Sequence, residues 1–139
     1  MNFDDWCKVC EQANEHKISA PEAAYAEMLP LIEDFTKEYF IVMSLNTKNQ
    51  IIAKQIISIG SLNANIVHPR EVFKFAIMNS AANILVGHNH PSGDPVPSKE
   101  DIAITKKLCE GGAMLGIPVL DHVIVGDNRH FSMKEAGYI

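Results

Sequence analysis

Apolar positions along this chain follow strand spacing in some segments and helical spacing in others. Residues 39–45 and 51–59 are rich in β-branched and aromatic side chains, and the polar residues 46–50 between them are typical of a hairpin connection. Residues 83–87 form a short apolar run that predicts a buried strand. Further strands are expected at residues 62–67, Val119–Val125 and residues 130–133.

Helical spacing predicts four helices, and capping residues indicate where two of them begin. Ser19 and Glu22 have the spacing of a capping box, with Pro21 in the first turn. Ser98 fits an N-cap ahead of apolar residues at helical spacing, and the glycines at 111 and 112 are expected to end that helix. The predicted helices cover residues 4–16, 19–34, 69–79 and 98–111. Strands interleaved with helices indicate an α/β fold, a mixed β-sheet flanked by helices.

The stretch that follows the strand at residues 83–87 carries the most informative chemistry. His88 and His90 are two apart at the strand's end, so their imidazoles should project to the same side and converge. The proline- and glycine-rich residues after them turn the chain away from the sheet. Asp101 lies three residues after Ser98, on the first turn of the next helix, which can face back towards the histidines.

The predicted site contains two imidazoles and one carboxylate, a three-ligand set that binds zinc and leaves a fourth position for water. Zinc lowers the pKa of water from about 15.7 to about 7, which supplies a nucleophile near neutral pH. A nearby carboxylate is still needed to shuttle the proton. The sequence therefore predicts a metal-dependent hydrolase with Zn²⁺ as cofactor and His88, His90 and Asp101 as metal ligands. A capping box also explains Ser98 and Asp101, and the two roles are compatible.

These residues resemble the signature of a known family. His88-x-His90, seven further residues and Ser98-x-x-Asp101 are similar to the signature of the JAMM (MPN-domain) metalloproteins, and His-Asn-His-Pro-Ser-Gly-Asp-Pro looks like its RadC branch. Three other segments resemble RadC segments in the same order, and the resemblance extends from about residue 18 to the C-terminus. These segments are residues 44–49, 68–73 and 120–127.

The resemblance implies a role for each residue of the motif. It makes His88, His90 and Asp101 zinc ligands and Ser98 a hydrogen-bond donor to the water or the developing oxyanion. It also implies a deaminase-like α/β fold and hydrolysis of an amide or isopeptide bond, with a peptide or a ubiquitin-like protein conjugate as the substrate.

The motif itself lacks a general base. In the family this glutamate lies just ahead of the first central strand, and residues 37–43 have that form, so the resemblance implies Glu38. Glu71 is the competing candidate, although a first-turn acid stabilised by the helix dipole also explains it. Four other residues resemble family positions without a chemical role that spacing can assign, and we expect them to support the site or the fold. They are His68, Arg70, Asp121 and His122.

Length and charge limit the remaining possibilities. The chain of 139 residues, 47% of them hydrophobic, is expected to form a single domain over residues 1–139. Its net charge of -5 is uneven, because residues 1–40 hold nine acids and three bases, which indicates an acidic helical segment over about residues 1–35. Lys106 and Lys107 form the one basic cluster, so a nucleic-acid partner is disfavoured.

Two alternative functions stay open from the sequence. The first is a metal-dependent nuclease or a DNA-repair-associated RadC-type protein, although nothing in the chain matches the helix-hairpin-helix module of longer RadC proteins. The second is a non-catalytic scaffold stabilised by zinc. Three cysteines without a signal peptide indicate the cytoplasm, and no apolar run is long enough to span a membrane. The sequence does not indicate the oligomeric state.

Overall fold

The computed structural model describes residues 17–60 and 67–139, in which strands and helices alternate. The predicted helix at residues 4–16 lies outside this range, as does all but the last residue of the predicted strand at 62–67. The elements are α1 (Pro21–Met28), a 3-10 turn (Leu29–Leu31), β1 (Glu38–Leu45), β2 (Ile51–Gly60), α2 (Pro69–Met78), β3 (Asn83–Asn89), α3 (Lys99–Leu115), β4 (Val119–Val125) and β5 (His130–Ser132).

The five strands form one mixed sheet in the order β2-β1-β3-β4-β5. The hairpin partners β1 and β2 are antiparallel, as are β1 with β3 and β4 with β5. The pair β3 and β4 is parallel, and α3 makes the crossover between them. The predicted α/β fold, a mixed sheet flanked by helices, is confirmed.

The central strands β1, β3 and β4 are buried on both faces of the sheet, and their alternate residues enter two separate cores. In β1, Phe40 and Val42 pack into a core that contains the apolar side chains of α2 and α3. Their neighbours Ile41 and Met43 point to the other face and join a core with Ala24 and Met28 of α1. The molecule therefore has three layers, with α1 on one face of the sheet and α2 and α3 on the other.

The predicted end of α3 at Gly111 and Gly112 is wrong, because the helix continues to Leu115 and is capped by Gly116 at φ +70. A Cβ on Gly112 would lie 2.5 Å from the carbonyl oxygen of Ile117, so this glycine permits a close approach of the chain and does not break the helix. No helix in the described part of the chain is both long and apolar enough to cross a membrane.

The prediction for α1 is also wrong at both ends. The N-cap is Ala20, which has no side-chain hydrogen bond, so the expected capping box of Ser19 and Glu22 does not form. The α-helix ends at Met28 and not near residue 34, and a 3-10 turn follows. Pro30 explains the early end, since proline lacks the N–H that an α-helix needs and its ring clashes with the preceding turn.

Candidate metal centre

The alternation of side chains in β3 determines where His88 lies. Ile84 and Val86 point into the core beneath α3, so His88 continues the same row on the same face. Its side chain is fully buried, at 0% exposure. The backbone leaves the sheet just beyond this point, and His90 lies part-buried after the last strand residue, beside His88.

Three ligand atoms from β3, the loop after it and α3 converge at this end of the sheet. His88 Nε2 lies 3.0 Å from His90 Nε2. Asp101 Oδ2 lies 3.0 Å from His90 Nε2, and Asp101 Oδ1 lies 3.2 Å from His88 Nε2. His88, His90 and Asp101 thus offer ligand atoms that all lie within 4.8 Å of one another, a group that could hold a metal ion.

The first turn of α3 fixes the position of Asp101. Ser98 is the N-cap of the helix, and its Oγ accepts a hydrogen bond of 3.1 Å from the backbone N–H of Asp101. In return, the backbone N–H of Ser98 donates to Asp101 Oδ2 at 2.8 Å. The predicted capping box is present, and it directs the carboxylate towards the histidines.

In both imidazoles, Nδ1 makes a hydrogen bond to a group outside the centre. His90 Nδ1 lies 2.7 Å from the carbonyl oxygen of Asp94, and since a carbonyl only accepts, this nitrogen must carry the hydrogen. His88 Nδ1 lies 2.7 Å from Nε2 of His122, which is fully buried. Both rings therefore turn Nε2 to the point where Asp101 also points.

The pKa values of the two histidines are shifted in opposite directions. Burial lowers the pKa of His88 below its ordinary value, against the opposing effects of Asp101 and Glu38. The hydrogen bond to Asp101 raises the pKa of the less buried His90. Burial by itself would raise the pKa of Asp101, but the interactions with the two neighbouring histidines outweigh it and hold that pKa well below its usual range.

This donor set fits a transition-metal ion. A neutral His90 that donates from Nδ1 carries a lone pair on Nε2, and that lone pair faces an ionised carboxylate. The lone pair and the carboxylate oxygen repel each other, so they can lie this close only when a cation, either a proton or a metal ion, is between them. Two imidazole nitrogens and one carboxylate oxygen are the ligands that zinc binds in catalytic sites.

Glu38 lies at the edge of this centre. It is the first residue of β1, and two residues further on, Phe40 pairs with His88 of the neighbouring antiparallel strand. Because residues two apart share a face, Glu38 belongs to the face that carries both histidines. Its negative charge favours the protonated forms of both imidazoles.

The competing glutamate lies elsewhere. Glu71 is in the first turn of α2, as predicted from the proline before it, and lines a cavity with Gln55 and Lys74. The described residues around that cavity include none of the three candidate ligands. Asp121, another residue singled out in the sequence, is buried at 5% exposure and accepts hydrogen bonds from the residues around β5.

A cavity of about 420 Å³ opens beside His90. One wall is apolar and consists of Tyr25, Leu29 and Phe35, and Phe35 is 50% exposed. The described residues of the lining include Asp127 but neither lysine nor arginine. The cavity therefore lies next to one of the three candidate ligands, and its described lining carries little charge.

Sequence reasoning missed Thr105 and expected of His122 only that it supports the site or the fold. Thr105 is 1% exposed, and its Oγ1 lies 2.6 Å from His122 Nδ1 and 2.7 Å from the carbonyl oxygen of Asp101. The feature that could have identified Thr105 is its position one helical turn after Asp101, beside the buried Ile104 and Leu108.

Comparison with known proteins supports the resemblance inferred from the motifs. A family model described as RadC-like JAB domain matches residues 18–138. A UPF0758 protein of Methanosarcina mazei is 55% identical over 125 residues, which is 90% of this chain and 55% of that protein. The corresponding protein of Methanococcoides burtonii is 58% identical over the same share of each chain. That of Bacillus cereus strain B4264 is 53% identical over 129 residues, which is 93% of this chain and 57% of that protein.

The chain spans about half the length of these relatives. The names of these relatives state neither an activity nor a substrate. The comparisons therefore bear on the family of the chain, whereas its chemistry has to be argued from the site.

Proposed function

We propose that this chain, which belongs to the RadC-like JAB domain family, is a zinc-dependent hydrolase that cleaves an amide or isopeptide bond. The observation that carries the proposal is the convergence of His88 Nε2, His90 Nε2 and the Asp101 carboxylate at separations of 3.0 to 3.2 Å. Three protein ligands leave a position for water and substrate, which is the arrangement of catalytic zinc sites and not of closed structural ones.

A bound zinc ion supplies a Lewis acid that polarises the scissile carbonyl and makes water acidic enough to react near neutral pH. The protein must then move a proton from that water to the leaving amine. Glu38 is the candidate, because it lies at the edge of the centre and its charge acts on both histidines. An ionised carboxylate there accepts the proton and returns it to the amine nitrogen.

Ser98 has a hydrogen to offer the oxyanion. Its Oγ accepts from the backbone N–H of Asp101, and this bond leaves the hydroxyl hydrogen available for a second partner. A donor held in place before the reaction stabilises the negative charge that develops on the carbonyl oxygen. We assign this role to Ser98 in addition to its role as the N-cap of α3.

The cavity beside His90 favours an amide over a phosphoester as the substrate. Its apolar wall of Tyr25, Leu29 and Phe35 suits a side chain of a peptide. Binding of a nucleic acid depends on lysines and arginines that neutralise phosphates, and the described lining offers none. We therefore propose a peptide or a ubiquitin-like protein conjugate as the substrate class.

Metal analysis and substrate profiling of Glu38→Gln test the proposal. Wild type and Glu38→Gln should each bind about one zinc per chain, as expected for a single three-ligand site. Hydrolysis of peptides or isopeptide-linked conjugates should fall by about 10²–10⁴-fold in the variant, which is the contribution of a general base. Glu71→Gln is the matched control and should keep wild-type turnover.

Three results would contradict parts of this proposal. Full activity of Glu38→Gln would remove Glu38 as the general base. Iron in place of zinc after purification and competition would overturn the identity of the ion, since two histidines and one carboxylate also bind Fe(II). Cleavage of single-stranded or branched DNA that is lost in His88→Ala, together with inert peptides, would favour the phosphoester alternative.

A further inference from the structure

A chain of hydrogen bonds runs from one candidate ligand to the backbone of another through the protein interior. His88 Nδ1 lies 2.7 Å from His122 Nε2, and His122 Nδ1 lies 2.6 Å from Thr105 Oγ1. Thr105 Oγ1 lies 2.7 Å from the carbonyl oxygen of Asp101. These four residues are at most 3% exposed, so their polar atoms must satisfy one another.

The carbonyl oxygen of Asp101 fixes the direction of this chain of hydrogen bonds, which we call the relay. A carbonyl oxygen only accepts, so the Thr105 hydroxyl must donate its single hydrogen to Asp101. The hydroxyl oxygen can then only accept from His122, which means that Nδ1 of His122 carries a hydrogen. The first two bonds of the relay are thereby assigned from donor and acceptor chemistry.

The assignment continues through the imidazole of His122. This ring is fully buried, and its hydrogen-bond partners are a hydroxyl and another imidazole and not a carboxylate, so it is neutral. A neutral imidazole carries one N–H, which leaves a lone pair on Nε2 of His122. His88 Nδ1 must therefore donate to that lone pair, and Nε2 of a neutral His88 is left bare, facing His90 and Asp101.

Phe40 holds the planes of both rings. Its ring stacks on His88 at a centroid separation of 6.2 Å and meets His122 edge-on at 5.7 Å. Rotation of either imidazole would break this packing as well as the hydrogen bonds. The relay therefore has a fixed geometry in addition to a fixed direction.

We propose that His122 and Thr105 are positioning residues that hold His88 with a hydrogen on Nδ1 and a lone pair on Nε2 directed at the metal centre. The inference rests on the proposed metal centre, to which neither residue contributes a ligand atom. The relay also joins the sheet to α3, since His88 and His122 lie on β3 and β4 and Thr105 and Asp101 on the helix. It thus fixes both the tautomer of one ligand and its distance from another.

Thr105→Val and Thr105→Ser form a matched pair for the test. Valine has nearly the shape of threonine but leaves His122 Nδ1–H without an acceptor, whereas serine keeps the hydroxyl. The zinc dissociation constant, measured by competition with a chelator, should rise at least about tenfold in Thr105→Val and stay within about threefold of wild type in Thr105→Ser. Circular dichroism melting checks the fold. If Thr105→Val melts lower yet binds zinc as wild type does, the residue has a structural role only and the proposal is wrong.

Nitrogen NMR of the histidine rings tests the relay in the unmodified chain, whether or not Thr105→Val folds. With and without zinc, His122 should carry its hydrogen on Nδ1, and a nitrogen–nitrogen coupling should cross the bond from His88 Nδ1 to His122 Nε2. A hydrogen on Nε2 of His122 would overturn the inference. If the wild-type chain binds no zinc, the proposed metal centre fails, but the same spectra still decide whether the relay has this direction.

Discussion

Two aspartates, Asp101 and Asp121, are similarly buried, at 3% and 5% exposure, and differ in the partners that surround them. The oxygens of Asp121 accept from the backbone N–H groups of His122 and Lys134 at 2.7 and 3.0 Å, and from Ser132 Oγ at 2.6 Å. Asp101 accepts one such bond, from the N–H of Ser98, and otherwise faces two imidazole nitrogens.

The kind of partner separates these two aspartates, whereas burial does not. Asp121 lines a cavity of about 420 Å³, the same volume as that of the cavity beside His90, so a cavity by itself does not mark the candidate metal ligand. The donors around Asp121 always carry hydrogens, so this carboxylate is satisfied by the protein and fastens β4 to β5. The nitrogens that face Asp101 carry lone pairs when the imidazoles are neutral, so this carboxylate needs a cation.

Replacement of each aspartate by asparagine tests the comparison most strongly. Asp101→Asn removes a charged ligand and should weaken zinc binding at least about 1,000-fold, or by about 4 kcal/mol. This loss is larger than the loss expected when a residue that contacts only a ligand is replaced. Asp121→Asn should stay within about threefold of wild type. Chelator competition measures both constants. Equal losses in the two variants would mean that the two carboxylates do not differ in function.

The stability of the metal-free chain should depend more on Asp121 than on Asp101. Asp121→Ala leaves buried donors unpaired and should lower the free energy of unfolding by about 2 kcal/mol. Asp121→Asn should lower it by less, because the amide oxygen still accepts from the backbone. Urea unfolding measures both values. An Asp121→Ala variant as stable as wild type would show that Asp121 does not fasten the two strands.

Acid should weaken zinc binding through a single histidine. The hydrogen bond to Asp101 raises the pKa of His90 above 6.5, whereas burial lowers the pKa of His88. Below the raised pKa of His90, zinc must displace one proton, so its affinity should fall about tenfold, or about 1.4 kcal/mol, for each pH unit. Above that pKa the affinity should level off.

Zinc titrations at several pH values measure this slope. His130→Gln is a suitable control, because His130 is not one of the three candidate ligands; it lies on β5, and its Nε2 lies 3.7 Å from Glu22 Oε1. A slope of two protons per zinc over the same range would contradict the assignment of the proton to His90 alone.

Much of the fold follows from local sequence patterns. The run of β-forming residues at 39–45 and the polar connection before Ile51 predict the hairpin, and the apolar run from Asn83 predicts the ligand strand. The errors concern the ends of α1 and α3. Gly112 reads as a helix break but permits a close contact with Ile117, and Ser19 reads as part of a cap that the chain does not use.

The convergence of His88, His90 and Asp101 was predicted because each lies at a spacing that one element fixes. Thr105 was not predicted, since a threonine inside a helix has many ordinary explanations and its partner His122 is 17 residues away. Only the packing of α3 against β4 brings the two side chains together. Metal binding and the roles of Glu38 and Ser98 stay predictions.

The sequence by itself determined which side chains can supply a metal centre. The i, i+2 spacing of a strand and the capping-box spacing of a helix are local, so neighbours along the chain are enough to fix them. The tertiary structure decided how closely these atoms meet and which outer partners orient them. The reason is physical: β3, α3 and β4 come together through burial of apolar side chains, and that force depends on area and not on the order of residues along the chain.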